Sequence, residues 1–196
     1  MPALGAVHLP DFMLPFNLSE DDARKALAER HAYPETAVYW RGVFLSIYSV
    51  SVDGRPGLAT AAPEAEAQLP QSGHLRATWM QGKPLKRNDE TFFEFDFIAP
   101  TLIASEAVEV HQSRLIADSL EVEGSADPAR RERQAIMGAA PPSVTDPILI
   151  AVPVWVAHVP EQKKLLAVDG SSGAVASSTK TANAGFLARL LGRLSR

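Results

Sequence analysis

Residues 148–175, ILIAVPVWVAHVPEQKKLLAVDGSSGAV, constrain the fold more than any other part of this chain. An apolar run from Ile148 to Val159 meets a polar break at Pro160–Lys163, and a second run follows at Lys164–Val168. Asp169-Gly170-Ser171-Ser172-Gly173 then turns the chain into a third short run at Ala174–Ala176. An Asp-Gly pair with another glycine close behind supplies the positive-φ positions that tight hairpins need. Three strands joined by two tight connections are predicted. That decides architecture and leaves chemistry open.

Upstream, Ser19 is placed to cap a helix, with Asp22 three positions on as a short capping-box acid. Glu20 and Asp21 favour the positive end of its dipole. Ala23, Ala26, Leu27 and Arg30 follow at helical spacing, and the narrow alanine face predicts close packing on a sheet. Tyr33-Pro34 stops this helix, and His31 at its end complements the dipole. Residues 37–52 read as a strand apolar on both faces, with Phe44, Tyr48, Val50 and Val52 on one parity and Val43, Leu45 and Ile47 on the other. Asp53-Gly54 ends it, and Leu58–Ala62 pairs back.

Pro63–Gly73 reads as a loop, His74–Met80 as a strand and Gly82–Asn88 as a charged turn. Thr91–Ile98 alternates Phe93, Phe95 and Phe97 with Glu94 and Asp96, which predicts a half-buried antiparallel strand. Within the ambiguous stretch 101–122, residues 102–110 lean to helix. Asp127-Pro128 opens a short helix to Met137, with Pro128 at its first position. The organisation is then an N-terminal extension (1–13), an α+β body (14–138), a Pro-rich linker (139–147) and a β-segment joining the sheet (148–176). A tether (177–184) and an amphipathic helix (185–196) complete it. Val-Asp-Gly recurs at 52–54 and 168–170, a weak echo between two strand-turn units.

Composition narrows the function classes. With 46% hydrophobic and 21% charged residues the chain is ordinary globular material, and at 196 residues it needs no staples. The absence of cysteine excludes disulfides, thiolate nucleophiles and thiolate metal sites, and fits a reducing cytoplasm. A net charge of −4 gives the body no general pull towards nucleic acid or anionic lipid. The first sixteen residues lack a basic n-region and contain three prolines, unlike a signal peptide. The longest apolar run, Ile148–Ala157, is far short of the ~20 residues that span a bilayer.

Two separated segments resemble a known family. The first is Leu14-Pro15-Phe16-Asn17-Leu18-Ser19-Glu20-Asp21-Asp22-Ala23 with Arg41-Gly42-Val43-Phe44-Leu45. The second is Pro153-Val154-Trp155-Val156-Ala157 with Val168-Asp169-Gly170-Ser171-Ser172-Gly173-Ala174-Val175. Both are similar to an uncharacterised bacterial family that usually carries an N-terminal zinc ribbon, some members of which bear a primosomal-helicase-like description. The second turn is also similar to the one closing small cystatin-like modules. This chain departs from the family: it has no zinc ribbon, and the family's Thr-Gly-Lys is Ser172-Gly173-Ala174. A role tied to metal or to that lysine does not carry over, and the resemblance implies no activity.

Reactive groups do not cluster in the sequence. His8, His31, His74, His111 and His158 form no metal-ligand spacing, so no metal or cofactor is expected. His158, beside Trp155, reads as a packed or edge histidine. Glu94 and Asp96 share a predicted strand face roughly 7 Å apart, which would suit a carboxylate pair, but alternating Phe and acid is what any half-exposed strand shows, so the solvated face is the reading preferred. No serine has a nucleophile-elbow context, and Gly170–Gly173 is a hairpin rather than a phosphate loop.

The tail differs in kind. Leu187, Leu190, Leu191 and Leu194 form one helical stripe beside Phe186, with Arg189, Arg193 and Arg196 off it. A helix this short needs something to cover its leucines: the protein's own body, a second copy, another protein, or an anionic membrane surface. The expectation is an α+β protein, an antiparallel sheet with the capped helix on one face, cystatin-like, ending in this amphipathic helix. Its expected function is that of a non-enzymatic cytoplasmic binding or scaffold protein. It self-associates or takes a protein partner through Phe186, Leu187, Leu190, Leu191, Leu194, Arg189 and Arg193. Two alternatives stand beside it. One is a nucleic-acid-associated factor using the basic clusters at 83–87 and 189–196, with Tyr39, Trp40 and Trp79 to stack bases. The other is an enzyme with a carboxylate site at Glu94 and Asp96.

Overall fold

Two long neighbouring strands organise the described residues, and the other described strands join their outer edges directly or through one intervening strand. The computed structural model describes residues 8–29, 39–69, 73–123, 142–159 and 164–177. The predicted helix at 127–137, the stop at Tyr33-Pro34, most of the tether and the amphipathic helix at 185–196 lie outside them. In chain order the elements are β1 (Phe12–Met13), α1 (Glu20–Ala28), β2 (Tyr39–Val52), β3 (Arg55–Thr60), α2 (Pro63–Gln68), α3 (Gly73–Gln81) and β4 (Leu85–Lys86). Then come α4 (Asp89–Glu94), β5 (Asp96–Ile98), α5 (Ala104–Glu123), β6 (Val144–Val159), β7 (Lys164–Asp169) and β8 (Val175–Ser177). The fold is α+β.

β2 and β6 pair antiparallel from Tyr39↔His158 to Val52↔Val144. The outer edge of β2 is shared: β3 pairs antiparallel with Ile47–Val52, and β5 pairs parallel with Val43–Leu45. The outer edge of β6 is shared in the same way, with β1 parallel at Ile150 and Ala151 and β7 antiparallel at Val154–Val159. β4 and β8 extend these two flanks. The sheet is therefore mixed, not purely antiparallel as the sequence suggests. The parallel members, β1 and β5, are two and three residues long, below the length at which alternation is readable.

Strand parity builds a three-layer molecule. Val43, Leu45 and Ile47 of β2 share one face with Ile150, Val152, Val154 and Val156 of β6, and α2 and α3 cover it through Ala65, Leu69, Leu75 and Trp79. The opposite face is covered in three patches. Ala23 and Leu27 of α1 pack on Trp155, Ala157, Leu166, Val168 and Val175. Phe92 of α4 packs on Phe44 and Ala151. Ala107, Val108 and Leu115 of α5 belong to the cluster of Tyr48, Val50 and Leu149.

Local signals explain several elements. Ser19 accepts from the Asp22 backbone N–H and Asp22 reaches back to the Ser19 N–H, a full capping box. Asp53 (φ 50°) and Gly54 (φ 76°) both lie in the left-handed region, the primed turn that joins β2 to β3 in two residues. The Asp169–Gly173 turn joins β7 to β8 with Gly173 at φ 77°.

Other expectations need correction. Residues 74–80 are helical in α3 rather than a strand, because Leu75 and Trp79, four apart, both face the sheet. Residues 63–68 form α2 rather than a loop. Pro63 begins it, and Glu66 accepts hydrogen bonds from the Ala61 and Ala62 N–H groups at its start. β6 begins at Val144, inside the stretch 139–147 expected as linker, and Asp146 (φ 53°) before Pro147 forms the irregularity where its register with β2 shifts. Phe12 and Met13, placed in the N-terminal extension, are strand β1 of the sheet.

Candidate functional site

The expected strand at 91–98 breaks in the middle, and the break shapes a cleft. Asn88 caps α4 by accepting from the Glu90 N–H, with Asp89 and Glu90 in the first turn. Phe92 turns inward and is fully buried, while Phe93 faces out with 63% of its surface exposed. The chain becomes extended at Phe95 and enters β5. Glu94 and Asp96 therefore do not share a strand face, since Glu94 closes a helix and Asp96 opens a strand.

They do line one cleft of about 350 Å³, with Glu20 of α1, Trp40, Arg41 and Gly42 of β2, Phe93 and Phe95, and Trp155 of β6. Beneath it lies an aromatic seam. Phe16 stacks on Phe95 at 4.1 Å between centroids and meets Trp155 edge-on at 5.2 Å and Phe44 at 5.1 Å. Gly42 makes this contact feasible, because a Cβ there would stand 2.6 Å from the Phe95 ring and 3.1 Å from Trp155.

The charges at the cleft are mostly committed. The Arg41 guanidinium is paired with Asp96, and only 15% and 29% of these side chains are exposed. Glu20 pairs with Arg24 at 2.5 Å, and the Arg24 guanidinium lies 5.1 Å over the Trp40 ring. Glu94 is exposed and makes no ion pair with a described residue.

The two segments behind the family resemblance meet at the rear of the cleft. Asn17 and Leu18 donate their backbone N–H groups to the Gly170 carbonyl at 2.9 and 3.0 Å. Trp155 Nε1 donates to the Leu18 carbonyl at 3.0 Å, and the Gly170 N–H to the Pro153 carbonyl at 2.9 Å. Asp169 is fully buried and accepts four hydrogen bonds: from the Ser171 N–H and Oγ at Oδ1, and from Thr78 and Ser172 hydroxyls at Oδ2. This carboxylate is a structural staple, tying the turn to α3.

The remaining candidates are dispersed. His158 lies on β6 opposite Tyr39 and Leu165; its Nδ1 is buried without a partner among the described residues, and burial lowers its pKa. His111 on α5 is also lowered, by burial and then by Arg76 and Arg114, against the pull of Asp118. Among the described residues no three His, Asp or Glu groups converge to hold a metal. In the basic cluster, Lys83 and Lys86 are exposed. Arg87 is tied to Asp89 at 2.5 Å and to the Pro10 carbonyl at 2.8 Å. Trp79 is buried under α3 and has no face for a base. Phe186, Leu187, Arg189, Leu190, Leu191, Arg193 and Leu194 lie outside the described residues.

In the sequence, Arg41, Gly42 and Trp155 stand only as motif residues, with no sign of a shared site. The pairing of Arg41 with Asp96, 55 positions apart, has no spacing signal. No protein-family model, curated protein or solved structure matches the chain. Among the described residues no helix is long and apolar enough to cross a membrane.

Proposed function

We propose that this chain is a non-enzymatic cytoplasmic binding protein of scaffold type that associates with itself. Phe186, Leu187, Leu190, Leu191 and Leu194, flanked by Arg189 and Arg193, are its contact side chains. The observation that carries the reading is the state of the cleft. Asp96 and Glu20, two of its three carboxylates, are already engaged by guanidinium groups, an arrangement that holds shape and charge for recognition. A general acid or base instead has to reach a proton it exchanges. The carboxylate-enzyme alternative therefore has only Glu94, exposed at the end of α4, to work with.

The family and cystatin-like resemblances belong to the same reading. What supports them is the meeting of the two motif segments at Phe16, Trp155 and Gly170, and α1 lying across β7 and β8. A nucleic-acid reading draws its support from the exposed Lys83 and Lys86 and requires affinity that falls steeply with salt.

The test is the mass of the full chain by light scattering. Leu187→Glu with Leu191→Glu lowers an oligomeric mass to that of one chain under this reading. An unchanged mass overturns it.

A further inference from the structure

We propose that the cleft at Trp40 receives the chain's own C-terminal segment, residues 185–196, through its arginines. This rests on the reading above that the segment is the contact element, and it names the surface that the segment touches.

Charge comes first. Residues 178–196 carry Lys180, Arg189, Arg193 and Arg196 and no carboxylate side chain. Setting those four cations apart from the net −4 leaves −8 on the remainder. The cleft holds one unit of that excess, since Glu20, Glu94 and Asp96 stand against Arg41 and against Arg24, which pairs with Glu20 over the Trp40 ring. Glu94, at its rim, is the carboxylate that no described cation neutralises.

Position comes second. Trp40 pairs with Ala157, Ala157 with Leu166, and Leu166 with Ser177, so all four stand in one row across the sheet. Neighbouring strands are about 4.8 Å apart, which puts Ser177, the last described residue, about 14 Å from Trp40. At ~3.3 Å per residue, 178–185 reach up to about 26 Å, enough to bring Phe186 to the cleft. A tether that spans its target raises the local concentration of the segment to about the millimolar range. Apolar cover comes third: Phe93, 63% exposed at the rim, offers a ring for the leucine stripe.

The experiment is limited chymotrypsin digestion of the full chain, following cleavage after Phe186 and Leu187 by mass spectrometry. Glu94→Arg is expected to speed that cleavage about 3- to 10-fold, the combined size of a few rim ion pairs. Arg193→Glu is expected to do the same, and the two together to return the rate to within about 2-fold of wild type. Wild type in 0.5 M salt should behave like either single variant, since the Debye length falls well below 10 Å. If Glu94→Arg does not fold, Glu94→Gln replaces it with the same expected direction. An unchanged rate in the Glu94 variant, or a paired variant as fast as the singles, overturns the proposal.

Light scattering on the same samples separates this from the broader reading. An oligomer dissolved by the tail-leucine variants, with cleavage indifferent to Glu94, keeps self-association and removes the cleft as receptor. A monomer whose cleavage responds to Glu94 keeps the cleft and removes self-association.

Discussion

At the scale of single residues, the same Asp-Gly pair does two different jobs. Asp53-Gly54 is an exposed two-residue hairpin, whereas Asp169 is fully buried and collects four hydrogen bonds. Replacing Asp169 with Ala removes a fully buried carboxylate that ties the turn to α3 and leaves the part-buried Ser171 N–H and hydroxyl without their acceptor, and should cost about 3 kcal/mol in urea unfolding. Asp53→Ala should cost less, about 1 kcal/mol, because water takes over its bond to the Ser143 N–H and the main loss is the tolerance of Asp for the left-handed backbone there. Equal losses at the two sites would contradict this contrast. Gly42→Ala drives a methyl into the rings of Phe95 and Trp155 and should destabilise by roughly 1–3 kcal/mol, with a change in tryptophan fluorescence. The recurrence of Val-Asp-Gly is legible in the sequence. The burial of one copy is not, since it depends on Thr78, 91 positions away.

At the scale of elements, the readable ones carry their own punctuation. α1 announces itself through Ser19 and Asp22, and Ser19→Ala should lower stability by about 1 kcal/mol. The Asp22 carboxyl, held below its usual value by the Ser19 hydroxyl and N–H, is a part of this cap that strong acid removes. β2, β6 and β7 are legible from apolar runs ended by turn residues, and β6 reads through Pro153 because the long pairing with β2 carries it. The stretch at 91–98 misleads for a physical reason. Phe92 and Phe95 are three apart and Phe93, Phe95 and Phe97 two apart, so one aromatic cluster satisfies both periods. The Asn88 cap decides for helix at the start, and pairing with β2 decides for strand at the end. Half of the cleft depends on that decision. His111 and His158 sit in α5 and β6 with pKa values lowered chiefly by burial, below the ordinary ~6.5 they regain on unfolding. The unfolded chain then binds more protons than the folded one as pH falls below about 6.5. Stability present above that pH is lost as pH drops through the folded values. The urea midpoint should fall between pH 7 and 5.5, and His158→Gln should flatten that slope; an unaltered slope would contradict burial as its cause.

At the scale of the whole molecule, the described sheet is closed on both faces by its own helices, and the cleft forms where α1, α4 and the starts of β2 and β5 converge on Trp155. No single segment announces it, because four separate stretches contribute to its lining. In the proposed reading, the basic, leucine-bearing segment at 185–196 is the element with which this acidic body makes contact. The most direct measurement is the set of three tryptophan indole N–H resonances in a 15N correlation spectrum of the full chain. Trp40 and Trp155 line the cleft, and Trp79 lies on the other face of the sheet as an internal control. The account predicts that Arg189→Glu with Arg193→Glu moves the Trp40 and Trp155 signals and leaves Trp79 in place. Three unmoved signals, or a shift confined to Trp79, would contradict it.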